Sequence, residues 1–276
     1  MKNYVYSKKS IITFFVVVVI LSAVFEYMYC SGGSEYTILF LMWSPACACV
    51  VANIVNLFEK KEKFDFKKFL NNCGFKIASV KYLLLGLIIP FIYLYGGYRT
   101  YWCMYPDNYA YTGVPLLTVL SDCFVYTIVC VISGLLSATG EEIGWRGFMV
   151  PAFRERIGTN KTLIISSFIW CLWHLPLIIF GGYMNGTALA YNIIAFILCI
   201  MPVGIICGLL RIKSGSMWPC AMLHAAHNAY DQAVFSILTR GDNMMYFVSE
   251  TGIFTIVLAW IIAISIFISF KKDENK

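Results

Sequence analysis

Charge is what this sequence has little of. Asp, Glu, Lys and Arg make up 13% of its 276 residues, against roughly 25% in an average soluble domain. Hydrophobic residues make up 60% and the mean hydropathy is +0.74, which excludes an ordinary water-soluble domain. Cysteine pairing logic is also missing. There are 11 cysteines, yet no C-x-x-C occurs and most lie inside apolar runs, so they read as small buried apolar side chains and not as a disulfide framework or zinc knuckle. The first apolar run ends without a small-residue cleavage site, so it is read as a span and not a signal peptide. No internal repeat or second domain stands out, and with that the inverted-repeat signature of many transporters is missing.

What is present is a series of eight apolar runs, approximately 11–30, 36–57, 82–98, 115–138, 162–181, 188–210, 216–238 and 250–270. A hydrocarbon core of about 30 Å takes roughly 20 residues of helix. The expected fold class is all-α: a polytopic membrane helix bundle of about eight transmembrane helices, forming one domain over 1–276. With the N-terminus inside, nineteen of the 21 Lys and Arg residues fall on one side, and only Arg99 and Arg240 on the other. The positive-inside rule then puts both termini in the cytoplasm of a cell-membrane protein, N-in and C-in. The formal charge of +6 reads as affinity for anionic lipid headgroups and not for nucleic acid. The loop "EKKEKFDFKKFLNNCGFKIASVK" is either an interfacial amphipathic helix or a solvated basic connector.

Against this apolar background "SATGEEIGWRGFMVP", residues 137–151, places Glu141, Glu142 and Arg146 together. The chain has 3 histidines, His174, His224 and His227, and all lie within apolar runs. Ionisable groups at membrane depth are costly and mark bundle interiors or wet cavities. Glu142 and Arg146 are four apart, the spacing of a helical ion pair, while Glu141 points away from Arg146 and is free to act as a base. His224 and Asn228 share one helix face, an imidazole and a carboxamide that together can hold an oxyanion. His227 lies on the neighbouring flank, and Asp231 returns to the face of His224. Counted by helix rise, His174 and His224 lie in the depth range where they could meet Glu141 in one cavity open to cytosolic water. Cys171, three residues before His174, is a poor nucleophile in such surroundings.

These motifs together, E-E-x-x-x-R at Glu141–Arg146, His174 in the aromatic run "FIWCLWH", and H-x-x-x-N at His224–Asn228, resemble the CPBP family of intramembrane proteases. That family is also called Abi or CAAX-protease-like and is related to the eukaryotic Ras-converting enzyme. The resemblance covers roughly residues 115–235, the expected catalytic core. One position departs from it: the family's F-x-x-x-H has Trp170 four residues before His174, read as another aromatic in the same packing or substrate-facing role. The resemblance implies an endopeptidase acting on membrane-associated protein or peptide substrates near the cytoplasmic face. In it Glu141 activates water, His174 assists, His224 and Asn228 hold the oxyanion, and Glu142 and Arg146 support the helix. Glu141, His174 and His224 would also make a His₂Glu zinc set, although no H-E-x-x-H is present, and metal-dependent and metal-free mechanisms both stay open. The alternatives are a non-catalytic scaffold or bacteriocin self-immunity protein, and a proton- or metal-coupled transporter. Substrate identity and oligomeric state have no signature in the sequence.

Overall fold

The computed structural model describes residues 5–184 and 186–274. Among them the only β pairing is an isolated bridge between Tyr109 and Thr239; the rest of the regular structure is helical. Ser7 caps α1 (Lys8–Cys30), its Oγ accepting from the Ser10 amide at 3.0 Å. Helix α2 (Tyr36–Lys60) stops where Lys61 turns left-handed. The basic loop contains a short helix, α3 (Phe66–Cys73), capped by Asp65 and ended by Gly74 at φ 78°, a value that favours glycine. Phe64 and Phe66 are exposed beside it, and Lys68 bonds Glu62 at 2.7 Å, holding that carboxyl below its usual range. Then come α4 (Val80–Met104) and α5 (Leu116–Glu142), which starts directly after Pro115. A wide π-helical turn, Ile143–Met149, joins α5 to α6 (Val150–Phe180). Helix α7 (Leu189–Ser214) precedes α8 (Trp218–Asn228), which a second π-helical turn, Ala229–Phe235, prolongs. The short α9 (Met244–Phe247) and the long α10 (Ile253–Glu274) end the fold.

Among the described residues, six helical runs are long and apolar enough to cross a membrane, where the sequence suggested about eight spans. The difference has two causes. One run, Leu116–Phe180, is 65 residues long, or about 97 Å if straight, three times the hydrocarbon core. It is not straight. The Trp170 indole donates to Glu141 at 2.8 Å across 29 positions, which a straight helix would separate by about 43 Å. The chain turns back at Gly158, whose φ of 76° and ψ of 169° leave the helical region, so the runs expected at 115–138 and 162–181 are the two arms of this one element. The second cause is 216–238, where His224, His227, Asn228, Asp231 and Gln232 lower the hydropathy. His224, His227 and Asn228 are accommodated because α8 packs against α4, α5 and α7.

Close helix approach depends on small residues, as membrane bundles require. A Cβ on Gly144 would fall 2.6 Å from the Pro45 carbonyl oxygen in α2, and one on Gly86 would fall 2.6 Å from that of Pro219 in α8. All 11 cysteines are free thiols. Beneath the junction of α5 and α6, Phe14 stacks on Phe148 at 4.7 Å and meets Trp145 edge-on at 5.8 Å.

Candidate active site

Glu141 and Glu142 end α5, and the π-helical turn that follows brings Trp145 and Arg146 under them. All four are at most 2% exposed. Burying charges without partners is expensive, and the pairing here is dense. Arg146 Nη1 donates to Glu142 Oε1 at 2.8 Å, and its guanidinium lies over the Trp170 ring at 4.2 Å. His224 Nδ1 meets the same Glu142 oxygen at 3.1 Å. Glu142 Oε2 is left without a partner among the described residues. The Glu142–Arg146 pair therefore does more than brace a helix end, because it also orients His224.

Glu141 is held differently. Two indole N–H groups, from Trp170 at 2.8 Å and Trp145 at 3.3 Å, both donate to its Oε2. Among the described residues no donor reaches Oε1 within hydrogen-bonding distance, so that oxygen is available. His174 Nδ1 lies 2.8 Å from the Trp170 carbonyl. A carbonyl can only accept, so Nδ1 carries the proton, and in the neutral ring Nε2 is a bare acceptor. By the same reasoning the Glu142 carboxylate fixes the Nδ1 proton of His224 and leaves Nε2 as its free end. Rings of Trp170, Trp173, Tyr183 and Phe196 box in His174, with centroids 4.9–6.3 Å away.

Glu141, His174, His224 and Asn228 line one cavity of about 380 Å³. Glu142 and Arg146 do not line it; they sit behind its wall. Among the described residues its lining contains no Lys or Arg. A second polar cluster, with His227, Tyr183 and Glu250, borders the same cavity. His227 Nε2 lies 2.9 Å from Glu250 Oε1 and its Nδ1 2.5 Å from the Tyr93 hydroxyl, and Tyr183 donates to Glu250 Oε2 at 2.9 Å. Asp231 turns away from His224 and accepts from Tyr98 at 3.0 Å and Ser249 at 2.7 Å.

Sequence reading missed several of these partners. Trp170, expected as a packing or substrate-facing aromatic, lines the cavity and in addition bonds Glu141; a phenylalanine there has no N–H to give Glu141. That signal was legible, since only the indole donates. Glu250 reaches His227 and Tyr183 reaches Glu250 across loops, and no local spacing announces them. Zinc was the open question. Among the described residues no three His, Cys, Asp or Glu side chains are gathered as a metal site requires, and Glu141 Oε2 is already taken by two indole donors. The donor set does not fit a zinc ion as arranged.

The fold and the site together define a class: a polytopic helical membrane protein with a buried carboxylate, two imidazoles and a carboxamide around one cavity. Residues 123–230 match the family described as type II CAAX prenyl endopeptidase Rce1-like. The CAAX prenyl protease 2 of Methanococcus maripaludis is 30% identical over 141 residues, which is 50% of this chain and 50% of the relative. The chain thus spans about half the length of the curated relative it matches. Over this segment the chain is similar to both the family and the relative.

Proposed function

We propose that this chain is an intramembrane endopeptidase of the CAAX-protease type, hydrolysing a peptide bond of a membrane-associated protein or peptide. One observation carries the reading: a carboxylate gripped on one oxygen by two indoles, with its other oxygen unengaged beside the cavity that His174, His224 and Asn228 also line.

The chemistry follows from the free ends. A water in the cavity donates one hydrogen to Glu141 Oε1 and the other to His174 Nε2, which leaves an oxygen lone pair for the scissile carbonyl. Glu141 takes the proton as the bond forms. The negative charge then grows on the carbonyl oxygen, where His224, as imidazolium, donates from Nε2 and Asn228 from its amide. The Glu142 carboxylate on Nδ1 steadies that imidazolium, and Arg146 steadies Glu142. When the C–N bond breaks, Glu141 returns its proton to the departing amine.

The lining supports internal cleavage, because no Lys or Arg stands ready to pair with a free terminal carboxylate. The test is cleavage of a peptide library by detergent-purified protein, comparing wild type with Glu141→Gln and His224→Ala, each with and without a zinc chelator. Cleavage lost in both variants and indifferent to chelator supports the mechanism. Equal cleavage by all three proteins sinks it, and chelator-sensitive cleavage restored by zinc replaces it with a metal mechanism.

A further inference from the structure

The short helix α3 is held firmly at one end only. At its C-terminal end Arg211 Nη2 donates to the Asn72 carbonyl at 3.0 Å and Arg211 Nε to the Arg146 carbonyl at 2.9 Å. The Met217 amide donates to the Gly74 carbonyl at 2.8 Å. These bonds fix the end of α3 to the π-helical turn that carries Arg146 and to the start of α8. The other end differs. Phe64 and Phe66 are each 62% exposed, and with Phe69 they form a loose aromatic trio, Phe64 lying 6.4 and 6.3 Å from the other two rings.

Between that open end and α2 lie two adjoining cavities, which share Asn53, Leu57, Glu62, Phe64 and Phe69. The larger, about 620 Å³, is apolar, with Val50, Ile54, Phe58 and Phe66 in its wall. Val50, Ile54 and Phe58 follow at four-residue spacing, which puts them on one helix face, and all three are exposed. Helix α2 is long and apolar enough to cross a membrane, so this exposed stripe meets hydrocarbon. The smaller cavity, about 200 Å³, is polar and is bordered by Asn56, Lys60, Glu62, Asp65, Lys68 and Asn72. Along α2 the apolar wall comes first and the polar one after it, Lys60 lying ten residues or about 15 Å beyond Val50. A phospholipid has the same order, tail and then headgroup.

The charges narrow the headgroup. Among the described residues the polar cavity carries two lysines and two carboxylates. Lys68 and Glu62 pair at 2.7 Å with 56% and 39% of their side chains still exposed. An ammonium donates three hydrogen bonds and a carboxylate accepts about four, so this pair retains capacity for a ligand of either sign. Asp65 accepts from the Lys68 amide through Oδ1. A headgroup with negative charge alone would meet two carboxylates, and a trimethylammonium has no N–H to give them. We propose that the two cavities hold one phospholipid whose zwitterionic headgroup ends in a primary ammonium, a phosphatidylethanolamine. Its phosphate lies at Lys60 and Lys68, its ammonium at Glu62 and Asp65, and an acyl chain along Val50, Ile54 and Phe58. The basic loop is thus an interfacial element and not a solvated connector. The bound lipid braces the open end of α3, whose other end carries the contacts to Arg146 and α8. This site is independent of the peptidase reading.

The test is calorimetric titration of the detergent-purified, delipidated full-length chain with dihexanoyl phosphatidylethanolamine, phosphatidylcholine and phosphatidylglycerol, and with tailless glycerophosphoethanolamine. The wild type should bind the ethanolamine lipid about fivefold more tightly than the other two, the upper worth of one exposed charge pair. Glu62→Gln should abolish the preference over phosphatidylglycerol, and Glu62→Lys should reverse it. Both changes fall on a partly exposed side chain, so the fold is expected to survive them. Phe58→Ala should weaken all three lipids alike without changing their order, a result that separates tail from headgroup. Equal binding of the three lipids, or an order that stays the same in both Glu62 variants, would leave only an unselective lipid shell and overturns the proposal. Tailless glycerophosphoethanolamine binding as tightly as the lipid also overturns it, because the site then takes a soluble ligand.

Discussion

His224 and His227 leave the same helix three residues apart and enter two clusters that differ in how fully they are satisfied. Around His227 the hydrogen-bonding capacity is spent: both ring nitrogens, both Glu250 oxygens and both Asp231 oxygens have partners. Around His224 it is not. Glu141 Oε1, the Nε2 atoms of His174 and His224, and the Asn228 amide have no hydrogen-bond partner among the described residues, and all four residues border the cavity. Both clusters are buried, polar and rich in aromatic neighbours, so burial alone does not distinguish chemistry from structure. Unused donors and acceptors at a cavity wall do. A saturated buried network holds one arrangement, whereas an unsaturated one has room for a reactant.

Four substitutions test this contrast, the largest effect first. Glu141→Gln keeps the shape and the indole contacts but removes the base, and kcat should fall by about 10²–10⁴-fold, the usual worth of general-base catalysis. Asn228→Ala removes one oxyanion donor and should cost about 10²–10³-fold in kcat with KM little changed. Trp170→Phe removes one of two donors to Glu141 Oε2; a hydrogen bond to a charged group is worth about 1.5–3 kcal/mol, so a kcat loss of about tenfold or more is expected. Retention of full activity there would show that Trp145 alone positions the base. His227→Gln breaks the saturated cluster and should lower the melting temperature while kcat stays within a few-fold. A loss of kcat as large as that of Asn228→Ala would erase the distinction between the clusters.

Much of the helical architecture was legible because length and hydropathy are local properties. The limits show at 216–238, where the composition describes a helix that other helices surround, and at 116–180, where a glycine bend folds one run into two arms. The site was legible where its members share a helix, as Glu142 with Arg146 or His224 with Asn228. It was not legible where partners meet across the bundle. The bonds of Trp170 to Glu141, His224 to Glu142 and Glu250 to His227 span 29, 82 and 23 positions, and no periodicity encodes them.

The wide turn at Ile143–Met149 has a further consequence. A π-helical turn accommodates one residue more than an α-helix does, and each residue rotates the side-chain direction by about 100°. The buried face that Val150 and Ala152 present in the first turn of α6 is therefore out of phase with α5 by one residue's rotation. Chain length across this turn, more than the identity of any one side chain, sets the phase between the carboxylates and the helix that follows. Deleting a single residue from 143–149 lets the turn close into regular helix and rolls that helix about its axis, so this junction should tolerate no change in length.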